Sequence, residues 1–361
     1  MNAPVSGPQR TTICYPLAGD SLGGSHHSLL GLLKLIDRER FRLVVVVENA
    51  DGRLAEHFDG FEQKVDPAAP RRSFEAGRSF GPLKFATTLT GLVKRARFLR
   101  EQGVSIVHTN DGRSHATWAL AAKLAGCKLV WHHRADPSAR GLRFLAPWVA
   151  DSIVTVSRFS LPRSRFSRAA RDAKVVFSPF QTDISADRPV MRQRIIKELG
   201  LAEDTVICGY FGSFIARKRP LLFIDAVARL RARIGRPVVG LMFGEATHPE
   251  LEAEMQQRIA QGGLEKDIRI MGYRSPGWEW IAGCDILMVP AFGEPLGRTL
   301  VEAMLVGTPV VATRAGGNPE ALGEDFGILV PADDADALAD GCARVVADPQ
   351  AARAYAQARA P

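Results

Sequence analysis

PAFGEPLGRTLVEAMLVGTPVVAT, residues 290–313, is the stretch on which the fold turns. The apolar run DILMVP ends on Pro290, a Pro/Gly loop carries Glu294, a helical pattern starts near Arg298, and TPVVAT closes the segment as a second β-branched run. Strand, loop, helix and strand in about two dozen residues is the unit from which parallel sheets with covering helices are built. Upstream of it lie VICGYFG, PVVGLMFG and IRIMG, and downstream GILVP. Together they make six strand-like runs, each followed by helix-compatible sequence. Residues 190–361 are therefore expected to form a Rossmann-like domain of their own.

The same rhythm runs through residues 1–180. Strands are expected near 11–15, 43–47, 105–109, 128–131, 152–156 and 174–177. Between them fall patterns such as SHHSLLGLLKLI, with Leu29, Leu32, Leu33 and Ile36 on one stripe, and SHATWALAAKLAG, closed by Gly126 as a helix C-cap. SPFQTDISADRP interrupts the alternation, and residues 181–189 are read as a linker. The expected architecture is α/β, two Rossmann-like domains whose parallel sheets face across a cleft. Ligands of such sheets bind at the carboxyl ends of the strands, so the loops there are where chemistry is sought.

Composition narrows the function. The chain has 361 residues, 46% of them hydrophobic, enough for two cores and too apolar for intrinsic disorder. No run of eighteen apolar residues occurs, and no secretory signal is read at the N-terminus. Five cysteines, far apart and never CxxC, point to reduced thiols in a cytoplasmic protein and away from zinc. Charge is divided unevenly: residues 1–185 hold 27 Lys+Arg against 16 Asp+Glu, whereas residues 186–361 hold 20 against 23. Basic residues crowd the stretch from Arg71 to Arg100, with Lys94, Arg95 and Arg97 at its end. Each alone reads as a solvated helix face; as a set they suggest an acidic partner, either a phosphorylated acceptor or an anionic membrane surface touched peripherally. Nucleic acid is disfavoured, because no recognisable binding motif accompanies the charge.

Three constellations carry candidate chemistry. GDSLGGSHHS places Gly23 and Gly24 between the first strand and first helix, where backbone can approach a phosphate at a helix N-terminus, although an ordinary tight turn reads equally well. It is not GxGxxG, and only Glu48 stands near the end of the second strand, so a nicotinamide dehydrogenase loses support. GSFIARKRP sets Arg217, Lys218 and Arg219 after a strand, where cations can neutralise a leaving diphosphate. In the third, Glu294 on its loop and Glu302 in the following helix are carboxylates suited to paired sugar hydroxyls, and the intervening helix N-terminus suits a diphosphate. RAGGNPEALG repeats the theme with Gly316, Gly317 and Glu320. Asp334 and Asp336 form an Asp-x-Asp, but at the start of a helical pattern they read as capping and dipole complement, not as a metal site.

With these segments quoted, the chain resembles the family-4 retaining glycosyltransferases of GT-B architecture, the glycosyl transferases group 1. The likeness spans nearly the whole chain and is most specific in the C-terminal half, where Glu294 to Glu302 matches the family's E-x7-E element and AGGNPEAL and FGILVPADD follow in place. The resemblance implies that Glu302 binds ribose hydroxyls and Glu294 the donor sugar. It also implies that the backbone from Gly297 through Arg298, Thr299 and Leu300 cradles the diphosphate, that Lys218 sits on the phosphates, and that Gly23 and Gly24 form the N-terminal glycine loop. The family's usual Arg after the strand-ending glycine is replaced by Ser213, with Arg217 or Arg219 as substitutes. The family His near the reacting carbon falls on His133 or Arg134, with His132 one step away. The family's closing crossover helix has no clear counterpart in DPQAARAYAQARAP.

The implied reaction moves a sugar from a nucleotide-diphosphate donor, UDP-, GDP- or ADP-linked, to an acceptor hydroxyl with retention, without metal or other cofactor. The acceptor is expected to be a glycan, lipid-linked or phosphorylated, as in cell-surface glycan or glycolipid synthesis. A nucleotide-sugar epimerase of the same fold and a catalytically silent nucleotide-sugar-binding protein are the competing classes, the second kept open by Ser213.

Overall fold

The computed structural model describes residues 10–69, 82–323 and 326–350. The strand runs that read as continuous apolar segments do so because each sheet is covered on both faces. In the first unit, residues 1–180, Ile13, Tyr15, Leu43 and Val45 point to one layer with Leu29, Leu33 and Phe58, while Cys14, Val44 and Val46 point to the other with Leu99, Trp118 and Leu129.

Seven strands form the sheet of that unit: β1 (Thr11–Pro16), β2 (Phe41–Val47), β3 (Glu62–Val65), β4 (Val104–Thr109), β5 (Lys128–His133), β6 (Ser152–Thr155) and β7 (Lys174–Val175). Their order is β3-β2-β1-β4-β5-β6-β7, and every described pairing is parallel. β3 is absent from the sequence expectation. Its residues, EQKV, form an edge strand with one apolar side chain, too polar to announce itself. Gly126 does close the helix Gly112–Ala125, at φ 82°, where a side chain would be strained.

The second unit, residues 181–361, repeats the plan with six strands: β8 (Val206–Phe211), β9 (Val238–Phe243), β10 (Ile268–Gly272), β11 (Ile286–Val289), β12 (Val310–Thr313) and β13 (Ile328–Val330), ordered β10-β9-β8-β11-β12-β13 and again parallel. In each sheet the order reverses beside the first strand, between β1 and β4 and between β8 and β11, the switch points at which open α/β sheets bind ligands. Within the stretch read as a linker, Ile184 is buried in the second unit's core and Asp187 caps the helix Arg188–Leu199. Asp334 accepts the Ala337 N–H at 2.9 Å as a helix cap, and Asp336 in the first turn pairs with Arg229 and Arg233.

The basic stretch needs correction. Arg71, Arg72 and Arg78 lie outside the described residues, as does the side chain of Lys84. Arg95 is not solvent-facing: its guanidinium forks onto buried Asp66 at 2.8–3.0 Å and lies over Trp118, because that side of the helix Pro82–Glu101 packs on the helix Gly112–Ala125. Arg97 pairs with Glu101 at 2.7 Å, and Arg100 donates to the Leu124 carbonyl. Lys94 is exposed. Residues 351–361, most of the tail in which a crossover was sought, also lie outside the described residues.

Candidate active site

The loops after β8, β11 and β12 meet at the switch point of the second sheet. After β8 the chain turns at Gly212, φ 141°, and a Cβ there would stand 2.5 Å from Lys218 Nζ. The glycine therefore makes room for the lysine to fold back over the strand end. Arg217 Nη1 donates to Glu294 Oε2 at 2.8 Å and Lys218 Nζ lies 3.5 Å from the same oxygen, so the loops after β8 and β11 are joined by two cations on one carboxylate. The Phe292 N–H also donates to the Arg217 carbonyl, at 2.8 Å. Burial alone would raise the Glu294 carboxyl, but Lys218 and Arg217 outweigh it and hold the group below the usual glutamate range.

The loop after β12 fixes the backbone of Glu294. The Gly317 N–H donates to the Glu294 carbonyl at 2.7 Å. A Cβ on Gly316 would stand 2.6 Å from that carbonyl oxygen, and one on Gly317 2.3 Å from the Pro295 oxygen. The AGG sequence thus serves close backbone packing against Glu294 and Pro295, a role that no spacing in the sequence announces. Buried Asn318 ties the same loop to β12, donating to the Thr313 carbonyl and hydroxyl.

Gly297 caps the helix Arg298–Leu305 with no side chain, so the helix N-terminus at Arg298 and Thr299 carries no built-in capping acceptor. Leu300 packs inward: its side chain is fully buried and its N–H donates to the Gly297 carbonyl at 3.0 Å. One turn on, Glu302 lies 3.8 Å from Arg298, and burial raises its carboxyl above the usual range despite that cation. Arg219 turns elsewhere. It sits at φ 52°, forks onto Asp333 at 2.7 and 3.2 Å, and lies over Phe292. Ser213 is exposed, its carbonyl 3.4 Å from the Tyr210 hydroxyl.

In the first unit a cavity of about 290 Å³ opens at the carboxyl edge of β4 and β5, lined by Ser25, Asn110, His115, Trp131, His133 and Arg134 among others. Gly23 and Gly24 are exposed at the head of the helix Gly24–Leu35, and the Gly23 N–H donates to His26 Nδ1 at 3.1 Å. Glu48 accepts the Gly19 N–H at 2.8 Å and so holds the glycine loop. Strand alternation separates the histidines. His132 meets His108 at 3.1 Å on one face of β5; His133 lies on the other, with Nε2 donating to the Asp136 carbonyl at 2.9 Å. Burial depresses both, and together with Arg134 it takes His108 down to about 3, so these rings are neutral at pH 7. Arg134, just past the strand, donates to the Ser178 hydroxyl at 3.1 Å and approaches His132 at 3.4 Å.

Two parallel six- and seven-stranded sheets of this order, with cations and carboxylates gathered at a switch point, define a GT-B protein. Structural comparison agrees: Anabaena Alr3699/HepE in complex with UDP and glucose has a TM-score of 0.79 at 24% identity, covering 96% of this chain and 93% of that one. A glycosyltransferase from Rickettsia africae reaches 0.71 at 19% identity, covering 96% and 93%. The family model of the Glycosyl transferases group 1 matches residues 191–360, within the second unit. Among curated relatives, the D-inositol 3-phosphate glycosyltransferase of Kribbella flavida is 30% identical over 190 residues, 50% of this chain and 44% of that protein. The lipopolysaccharide core biosynthesis mannosyltransferase LpsB of Rhizobium meliloti is 34% identical over 158 residues, 42% and 44%. The chain thus spans less than half the length of the curated relatives it matches.

Among the described residues, no group of three or more His, Cys, Asp or Glu is arranged to hold a metal ion, and no helix is long and apolar enough to cross a membrane.

Proposed function

We propose that the protein is a retaining glycosyltransferase that moves a sugar from a UDP-, GDP- or ADP-linked donor to an acceptor hydroxyl without a metal. The observation that carries this reading is the convergence of Arg217 and Lys218 on Glu294 at the β8/β11 switch point. Paired cations beside a carboxylate and an uncapped helix N-terminus suit a diphosphate and a sugar's hydroxyls side by side. Glu302 accepts from the ribose hydroxyls and Glu294 from the donor sugar. The helix N-terminus at Gly297, Arg298 and Thr299 faces the diphosphate. In the first unit, Gly23 and Gly24 are assigned to the donor's diphosphate and His133 or Arg134 to its sugar. The bond between the anomeric carbon and the diphosphate oxygen breaks while the acceptor oxygen bonds the same face of that carbon, and the acceptor proton passes to the leaving oxygen. Lys218 and Arg217 stabilise the departing charge.

The solved relatives with UDP make a UDP-linked sugar the first donor to try, and the curated names point to a phosphorylated acceptor such as D-inositol 3-phosphate or to a lipopolysaccharide core. Incubation with UDP-glucose and a panel of hydroxyl acceptors, with UDP release and product anomer both read by NMR, tests the reaction. An α-linked product from the α-linked donor is expected; a β-linked product contradicts retention. The exposed Ser213, where the family usually has Arg, favours one second reading, a silent binding protein. It would bind the nucleotide yet release none with any acceptor. An epimerase would interconvert the donor without an acceptor.

A further inference from the structure

Residues 137–171 hold seven arginines, no lysine and one acidic residue, Asp151. All seven arginines are exposed, and Asp151 is already paired to Lys123 and Lys128 at 3.0–3.1 Å. Into the same surface project three aromatic rings: Phe144 is 63% exposed, Trp148 76% and Phe166 51%. Trp148 and Phe166 touch, with ring centres 5.4 Å apart, and Arg143 lies over Phe144 at 5.0 Å. The short helical stretch Gly141–Val149 is two-sided. Leu142 and Leu145 line the cavity that also holds His133 and Arg134, while Phe144 and Trp148 face out.

Large exposed aromatics cost stability in water unless something covers them, and seven arginines against Asp136, Asp151 and Asp172, the last paired with Arg168 at 3.5 Å, leave a positive surplus that selects a negatively charged cover. Aromatic side chains that seat in the headgroup layer, flanked by Arg, are the two signals that hold a protein on an anionic bilayer without a span. We infer that this face, Phe144, Trp148 and Phe166 with their arginines, docks on an anionic membrane surface, and that the helix behind it leads a lipid-borne acceptor to the cavity. The docking face stands on its own observations; only the delivery of an acceptor rests on the glycosyltransferase reading. Of the Arg71–Arg100 stretch, Arg95 takes no part in such a contact, being buried in an ion pair.

The test is co-sedimentation of the full chain with vesicles of phosphatidylglycerol and phosphatidylcholine in equal parts, against vesicles of phosphatidylcholine alone, at about 0.1 M salt. Binding to the mixed vesicles only is expected, with a blue shift of Trp148 emission that is absent in Trp148→Phe. Replacing Trp148 and Phe166 by Ser should lower partitioning by roughly tenfold or more. Arg163→Glu with Arg165→Glu should lower it several-fold and flatten its salt dependence. Equal partitioning of wild type and these variants overturns the proposal, as does equal binding to uncharged vesicles. A concentration-dependent dimer in sedimentation that Trp148→Ser abolishes, without vesicle binding, would assign the face to a second copy instead. The nucleotide-induced thermal shift of each variant is read alongside. Retained shift with lost vesicle binding isolates the surface, and retained vesicle binding with no shift in any form sinks only the donor-site reading.

Discussion

Arg217 and Glu294 are 77 positions apart in the chain and 2.8 Å apart in the fold, and Lys218 reaches the same Glu294 oxygen at 3.5 Å. Glu294 is thereby held ionised and oriented by two cations that a bound diphosphate would compete for. Removing the group that stabilises departing charge should act on turnover more than on folding. Lys218→Ala is expected to lower kcat by about 10²–10³-fold, with little change in melting temperature. Steady-state kinetics beside a thermal melt checks it; unchanged kcat would remove Lys218 from the chemistry.

Gly317 offers a test of the clasp on Glu294. A Cβ there would meet the Pro295 carbonyl oxygen at 2.3 Å, backbone against backbone with nothing flexible to yield. Gly317→Ala should therefore destabilise the second unit by about 1–3 kcal/mol and weaken nucleotide binding. Denaturant unfolding and calorimetry read both, and a neutral outcome would mean that the loop after β12 adjusts freely.

The Arg95–Asp66 pair gives a contrast within one helix. Both members are buried, with the Asp66 side chain 1% exposed, and removing one strands the other's charge. Arg95→Ala should cost about 3–5 kcal/mol, while Lys94→Glu, one residue away and exposed, should stay within about 0.5 kcal/mol. Equal effects at the two positions would contradict the packing described.

The first unit should lose stability in acid. His108 is depressed to about 3 in the fold, against 6.5 unperturbed, so the unfolded chain takes up the proton first as pH falls. The contribution is whole above about 6.5 and is lost progressively down to about 3; at pH 5 it has fallen by roughly 2 kcal/mol for this residue. His108→Asn should flatten the profile between pH 7 and 5. A profile as steep as wild type would show that His108 is not the source.

Much of this was legible in the chain and part was not, for physical reasons. The continuous apolar runs at 206–211, 238–243 and 286–289 named themselves as parallel strands because both of their faces are covered. β3 was silent because an edge strand needs few apolar residues. Glu294, Glu302 and Lys218 were visible through their spacing after strands, but the ion pair that joins two of them depends on strand order, which no local pattern carries. Arg95 misled for the same reason: its partner Asp66 lies 29 positions earlier in the chain, and a basic run looks alike whether its members face water or a buried carboxylate. The glycines of AGGNPE suggested a phosphate turn, and only the fold brings the Glu294 backbone up against them.

The most direct test of the central claim is a thermal-shift comparison of wild type and Glu302→Ala with UDP, GDP, ADP and dTDP. A nucleotide at about 100 times its dissociation constant adds about 2.7 kcal/mol of stability. The account predicts a clear rise with one nucleotide in the wild type and none in the variant. No rise with any nucleotide at saturating concentration, or an equal rise in Glu302→Ala, would contradict a donor site built on Glu302, Glu294 and Lys218.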